Sequence, residues 1–163
     1  YKQSEANPWT ADSIKKIFDN NIEMNFTEKG NFPLYVDKKK GIVQGYAIPI
    51  SGKGLWSTLY GYFAVEPDGE TAKGITFYAH KETPGLGGEV DKAWFKDNFI
   101  GKRFVNDKGE LVGIKVVKGK ADPNSKYEVD GISGATITSK GVETFLASDL
   151  KKYETFFKSI REG

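Results

Sequence analysis

Near the C-terminus, Val142, Phe145, Leu146, Leu150, Tyr153, Phe157 and Ile160 recur at steps of three and four, which puts them on one side of a helix. So broad an apolar face has to lie against another layer, and the upstream chain supplies a sheet. LYVDKKKGIVQGYAIPI, Leu34 to Ile50, carries Lys-Lys-Lys-Gly between two β-prone runs and predicts a hairpin. Leu55 to Val65, the turn Glu66-Pro67-Asp68-Gly69 and the return from Lys73 to His80 predict two more strands of a meander. Thr10 to Asn20, with Ile14, Ile17 and Phe18, predicts a short first helix. Glu82 to Gly88 is glycine- and proline-rich and predicts a loop, followed by a second helix with Val90, Trp94, Phe95 and Phe99 on its apolar side. GELVGIKVVKG, Gly109 to Gly119, alternates as a strand would. The expected class is α+β, a mainly antiparallel sheet with helices packed at its ends. At 163 residues it is read as one domain over 1–163.

Charge and composition narrow the functions. A net charge of +2, with basic residues scattered along the chain, gives no nucleic-acid footprint. With no cysteine, disulfides, thiolate metal sites and thiol nucleophiles are excluded, and one histidine excludes a His-pair metal site. No metal site is therefore assigned. His80 itself is read as structural or solvent-facing. The most apolar run, Leu55 to Val65, falls short of the roughly 20 residues of a membrane helix. The chain begins at Tyr1 rather than Met, so the expectation allows for an anchor or signal ahead of it.

Asp130-Gly131-Ile132-Ser133-Gly134-Ala135-Thr136-Ile137-Thr138 concentrates small residues and hydroxyls where the long helix begins. Amide hydrogens in a helix's first turn have no intrahelical partner, and the macrodipole favours an anion there by about 0.3–1 kcal/mol. Spacing alone leaves two readings open: an anion site, or an ordinary Ser/Thr cap on a tight turn.

The same residues resemble the flavinylation motif of the bacterial FMN-binding domain family, an Asp, two variable positions, Ser or Thr, then Gly-Ala-Thr. GKGLWSTLYGYFAVEP from Gly52 and GITFYAHKETPGLGGEV from Gly74 resemble, within that family, the C subunits of sodium-translocating NADH:quinone reductases. The G subunits of the related Rnf electron-transfer complex share the Gly-Ala-Thr and ETPG elements and are the alternative.

The resemblance implies FMN joined through its phosphate to Thr136 by a flavin transferase, with Thr138 as the competing hydroxyl. It also implies an electron-carrier subunit working with other subunits of a respiratory complex. Such subunits have an N-terminal membrane helix that holds the flavin domain on the periplasmic face of the bacterial cytoplasmic membrane. Around Thr136 the expected cofactor contacts are Asp130, Ser133, Gly134, Ala135, Ile137 and Thr138. From the ETPGLG run they are Glu82, Thr83, Gly85, Leu86 and Gly87, with Trp56 either bordering the ring or serving as a rim aromatic. The ring is expected between that loop and the Ser133–Ser139 turn. Asp130 would either neutralise or coordinate a cation during flavin transfer or serve as a routine turn starter, and Lys115 and Lys118 are candidates to reach the phosphate or ring. A noncatalytic phosphate- or flavin-binding module remains the reading from a different class. An independent flavin reductase fares worse, since no GxGxxG follows a predicted strand.

Overall fold

A computed structural model describes residues 21–163; the helix expected at Thr10 to Asn20 lies outside them. Strands β1 (Asn21–Phe26), β2 (Pro33–Lys39), β3 (Ile42–Lys53), β4 (Thr58–Val65) and β5 (Ala72–Ala79) form one antiparallel sheet in sequence order. The lysine turn closes β2 onto β3 with Lys40 and Gly41 at φ 53° and 78°, the mirror-image geometry that suits a twisted hairpin. Gly69 donates to the Glu66 carbonyl at 3.0 Å in the predicted β4–β5 turn.

The terminal helix, Thr136–Glu162, lies against β3 and buries Val142, Phe145, Leu146, Leu150, Tyr153 and Phe157 on Leu34, Ile48, Ile50, Phe63 and Phe77 of the sheet. Each such side chain contributes about 1.5–3 kcal/mol through burial. Two glycines bring the layers unusually close. A Cβ on Gly141 would overlap the Lys53 carbonyl oxygen, and one on Gly52 would overlap the Phe145 side chain. Asp149 accepts from the Ser51 amide at 2.9 Å and fixes the same crossing further along.

Three expectations need correction. The second helix is broken: a 3₁₀ turn, Gly87–Asp91, and a short helix α1, Ala93–Asp97, meet at Lys92, whose backbone is extended (φ −80°, ψ 144°). The terminal helix is accordingly α2 (Thr136–Glu162). Val90, Phe95 and Phe99 are buried as the pattern requires, but Trp94 is 42% exposed. The strand expected over 109–119 shrinks to β6, Lys115–Val116, paired in parallel with β7, Glu128–Val129. Gly113 and Gly119 at φ 76° and 81° interrupt the alternation, and the amides of Val112 and Gly113 both go to the Phe104 carbonyl. Finally, β1 has no counterpart among the expected strands, because its apolar positions Met24 and Phe26 are half exposed and give little pattern.

Candidate flavin site

Thr136 is the first residue of α2, and Ala135, at the N-cap, offers no side chain to the first turn. The ordinary-cap reading therefore fails. Gly134 makes the turn at φ 75°, a conformation that glycine adopts without a Cβ penalty. The hydroxyls have separate tasks. Ser139 Oγ accepts from the Ile132 amide at 3.0 Å and folds the turn back on the helix. Thr138 is 1% exposed and donates to Glu82 Oε1 at 2.7 Å. Thr136 is exposed and lines a cleft of about 570 Å³.

That cleft is bounded by Ser133, Gly134 and Thr136 on one side and by Val116 to Lys120 on the other, with Trp94 and Lys140 at its margins. The opposing walls are tied by backbone contact. Gly131 donates to the Gly119 carbonyl at 3.0 Å, and a Cβ on Gly131 would overlap the carbonyl oxygen of Val117. Asp130 completes the tie, accepting from the Ala121 amide at 2.8 Å and pairing with Lys120 at 3.3 Å. The Ala121 bond foremost, then Lys120, holds its carboxyl below the ordinary range despite partial burial. The carboxylate reaches back nine and ten residues, so its contacts tie two segments together rather than start a local turn.

Across the motif from the cleft, the ETPGLG loop is packed directly on the turn. A Cβ on Gly87 would lie 2.6 Å from Thr138 Oγ1, and one on Gly134 would lie 3.2 Å from Leu86 Cδ2. The loop and the turn touch at these two points, and none of residues 82–87 is among the residues lining the cleft. Leu86, 43% exposed, stands near Gly134 at the motif. Thr83 is exposed, and its carbonyl accepts from Leu86 and Gly88 at 3.0 and 2.9 Å, while Gly85 sits in open space at φ 81°. Glu82 is buried, and Ile137 is 59% exposed. Trp56, 71% exposed, is absent from the cleft lining. Of the two candidate lysines Lys118 lines the cleft and Lys115 does not. His80 donates from Nε2 to Asp91 at 2.8 Å and accepts on Nδ1 from the Glu82 amide at 3.1 Å, bracing the loop's start.

Sequence reasoning misses Trp94, Lys120, Lys140 and Gly119. The apolar spacing puts Trp94 on the core side of a continuous helix, and the break at Lys92 turns it outward.

The set suits FMN. The volume falls within the roughly 300–1,000 Å³ of small-molecule sites. Val116, Val117 and Ile132 give apolar walls, three lysines border an uncapped helix start, and backbone is exposed to close approach at Gly119 and Gly134. Residues 54–151 match the model of the FMN-binding domain, and the chain belongs to that family. Its relatives are more specific. It is 40% identical over 166 residues to the C subunit of the Na(+)-translocating NADH-quinone reductase of Vibrio alginolyticus, covering 100% of this chain and 64% of that one. The corresponding Yersinia pestis protein is 44% identical over 125 residues, covering 76% and 47%. The chain thus spans less than two thirds of either relative.

Among solved structures, Shewanella oneidensis NqrC aligns with a TM-score of 0.73 at 32% identity, covering 86% of this chain and 70% of that one. The C subunit of the Na(+)-translocating NADH-quinone reductase from Parabacteroides distasonis aligns with a TM-score of 0.74 at 31% identity, covering 93% and 84%. Among the described residues, no helix is long and apolar enough to cross a membrane.

Proposed function

We propose that this chain is the flavin-bearing domain of an electron-carrier subunit of a Na+-translocating NADH:quinone oxidoreductase, with FMN joined through its phosphate to Thr136. The observation that carries the reading is the contrast between two hydroxyls. Thr136 faces a cleft at an uncapped helix start, while Thr138 is buried and already hydrogen-bonded. A transferase can reach only the first without unfolding the turn.

FMN supplies reversible electron acceptance and donation, so the chain needs no nucleophile of its own. First-turn amides and Lys118, Lys120 and Lys140 oppose the phosphate's charge. Val116, Val117 and Ile132 would offer apolar contact to the ring, with Trp94 among the residues lining the same cleft. A tether keeps the local concentration high, so a shallow and open cleft suffices. Such openness suits exchange with neighbouring subunits. In the full protein, residues 1–163 would form one domain behind an N-terminal membrane helix, on the periplasmic face of the bacterial cytoplasmic membrane, where a flavin transferase modifies it.

The test is co-production with a flavin transferase, followed by intact mass measurement on denatured protein. The unmodified sequence should carry FMN on the peptide containing Thr136, and Thr136→Ala should carry none. Covalent flavin on Thr136→Ala would reject the assignment.

A further inference from the structure

The cleft and its lysines do not account for GKGLWS and the glutamate of ETPG, although both adjoin the motif. They meet at one carboxylate. Glu82, 5% exposed, accepts on Oε1 from the Leu55 amide and the Thr138 hydroxyl, each at 2.7 Å. On Oε2 it accepts from the Trp56 amide at 3.0 Å and the Ser57 hydroxyl at 2.8 Å. Trp56, 26 residues before Glu82, is thereby joined to Thr138, 56 residues after it, at the start of α2. The space for this is made by glycines. A Cβ on Gly54 would overlap Glu82 Oε1, and one on Gly87 would press on Thr138 Oγ1 and Glu82 Cβ.

We infer that Glu82 is a positioning residue for modification of Thr136: through Thr138 it fixes the first turn of α2 so that the Thr136 hydroxyl stands on the cleft side. The inference rests on Thr136 being the flavin acceptor. Helix starts fray because their first amides lack partners, and this one has no cap of its own. Thr138 is the third residue of the helix, and its bond to a buried anion holds the otherwise uncapped first turn against fraying. Only the ionised carboxylate offers acceptors to all four donors. Burial raises the Glu82 pKa, and the bonds from Thr138, Ser57, Leu55 and Trp56 outweigh it and hold the carboxyl below its ordinary value.

In the transfer itself, Thr136 Oγ1 forms a bond to phosphorus and its proton passes to solvent. A phosphoanhydride bond of an activated flavin dinucleotide breaks, and a nucleoside monophosphate leaves. Glu82 touches none of these atoms. Its part is to reduce the orientations the hydroxyl samples before attack.

The experiment measures the initial rate of covalent flavin incorporation by purified transferase with flavin dinucleotide, on chains shown to be folded by thermal melts. Thr138→Val keeps the shape and removes the hydroxyl; Thr138→Ser keeps the hydroxyl. The Val variant should slow by about tenfold, the effect expected of one lost bond to a charged group. The Ser variant should stay near the unmodified rate, and Glu82→Gln, which brings an NH₂ among four donors, should be slowed at least as much as Val. Equal rates for Val and Ser, or an unmodified rate for a folded Glu82→Gln, would overturn the inference. Should Glu82→Gln not fold, the Val and Ser pair decides. Thr136→Ala run in parallel separates the two proposals: incorporation there rejects the acceptor assignment, whereas none there with normal rates for Val and Glu82→Gln rejects only the positioning role.

Discussion

On one side of the Ser133–Thr136 turn the backbone is held by Glu82, buried and satisfied by four neutral donors; on the other it is held by Asp130, partly exposed and bonded to one amide and one surface lysine. Lys120 is 87% exposed in that pair, so solvent screens it and it adds little stability. The buried side has no slack, since glycines are packed against the carboxylate and its partners. On the cleft side the carboxylate adds one amide bond and a surface ion pair to walls already joined backbone to backbone at Gly131. The two carboxylates differ in kind: Glu82 joins three loops through buried bonds, whereas Asp130 ties two neighbouring segments near the surface.

The contrast can be tested by stability measurements. The largest effect should come from Gly87→Ala, which places a methyl 2.6 Å from Thr138 Oγ1. Overpacking and a displaced bond should cost about 2–3 kcal/mol, or roughly 4–12 °C in Tm. Gly85→Ala, in the same loop but in open space, should cost only the left-handed backbone penalty of about 1 kcal/mol. Equal losses would mean that the loop is not pressed against the helix start.

Next comes acid. The folded Glu82 pKa lies below its ordinary 4.5, so the unfolded chain binds the proton first as pH falls. Its contribution is therefore whole above about pH 5 and is lost as pH drops through the folded value. The urea midpoint of Glu82→Gln should trail the unmodified chain by a constant amount near neutrality, and the gap should narrow below 4.5. A gap unchanged well into acid would mean that the bonds do not depend on ionisation.

Asp130→Asn should have the smallest effect. Asn keeps an acceptor for Ala121 and loses only the exposed ion pair, so the change should be within about 0.5 kcal/mol. A loss as large as that of Gly87→Ala would erase the distinction between the two sides.

The hairpin β2–β3, strands β4 and β5, and α2 can be read from sequence because their signals are local: alternation, turn residues and three-to-four spacing. The start of α2 is legible for the same reason, since Ser133 to Thr136 are contiguous. What escapes is built by distant segments. A two-residue parallel pair, Lys115–Val116 with Glu128–Val129, has no local signature, yet it brings Lys118, Gly119 and Lys120 to the cleft. Glu82 stands out in the sequence as a cofactor contact. Its bonds to Leu55, Trp56, Ser57 and Thr138 cannot be read from spacing, because they depend on how three loops stack.

Gly141 gives the helix a rotational key. With the Lys53 carbonyl seated where a side chain would be, α2 cannot turn about its axis without a backbone collision, so the angular phase of every residue near it is set from that point. Thr136 is five positions upstream. At 3.6 residues per turn, one residue inserted between them would swing the Thr136 hydroxyl by about 100° and raise it by about 1.5 Å. For the attachment proposed at Thr136, then, the number of residues between threonine and glycine is as much a part of the motif as their identities.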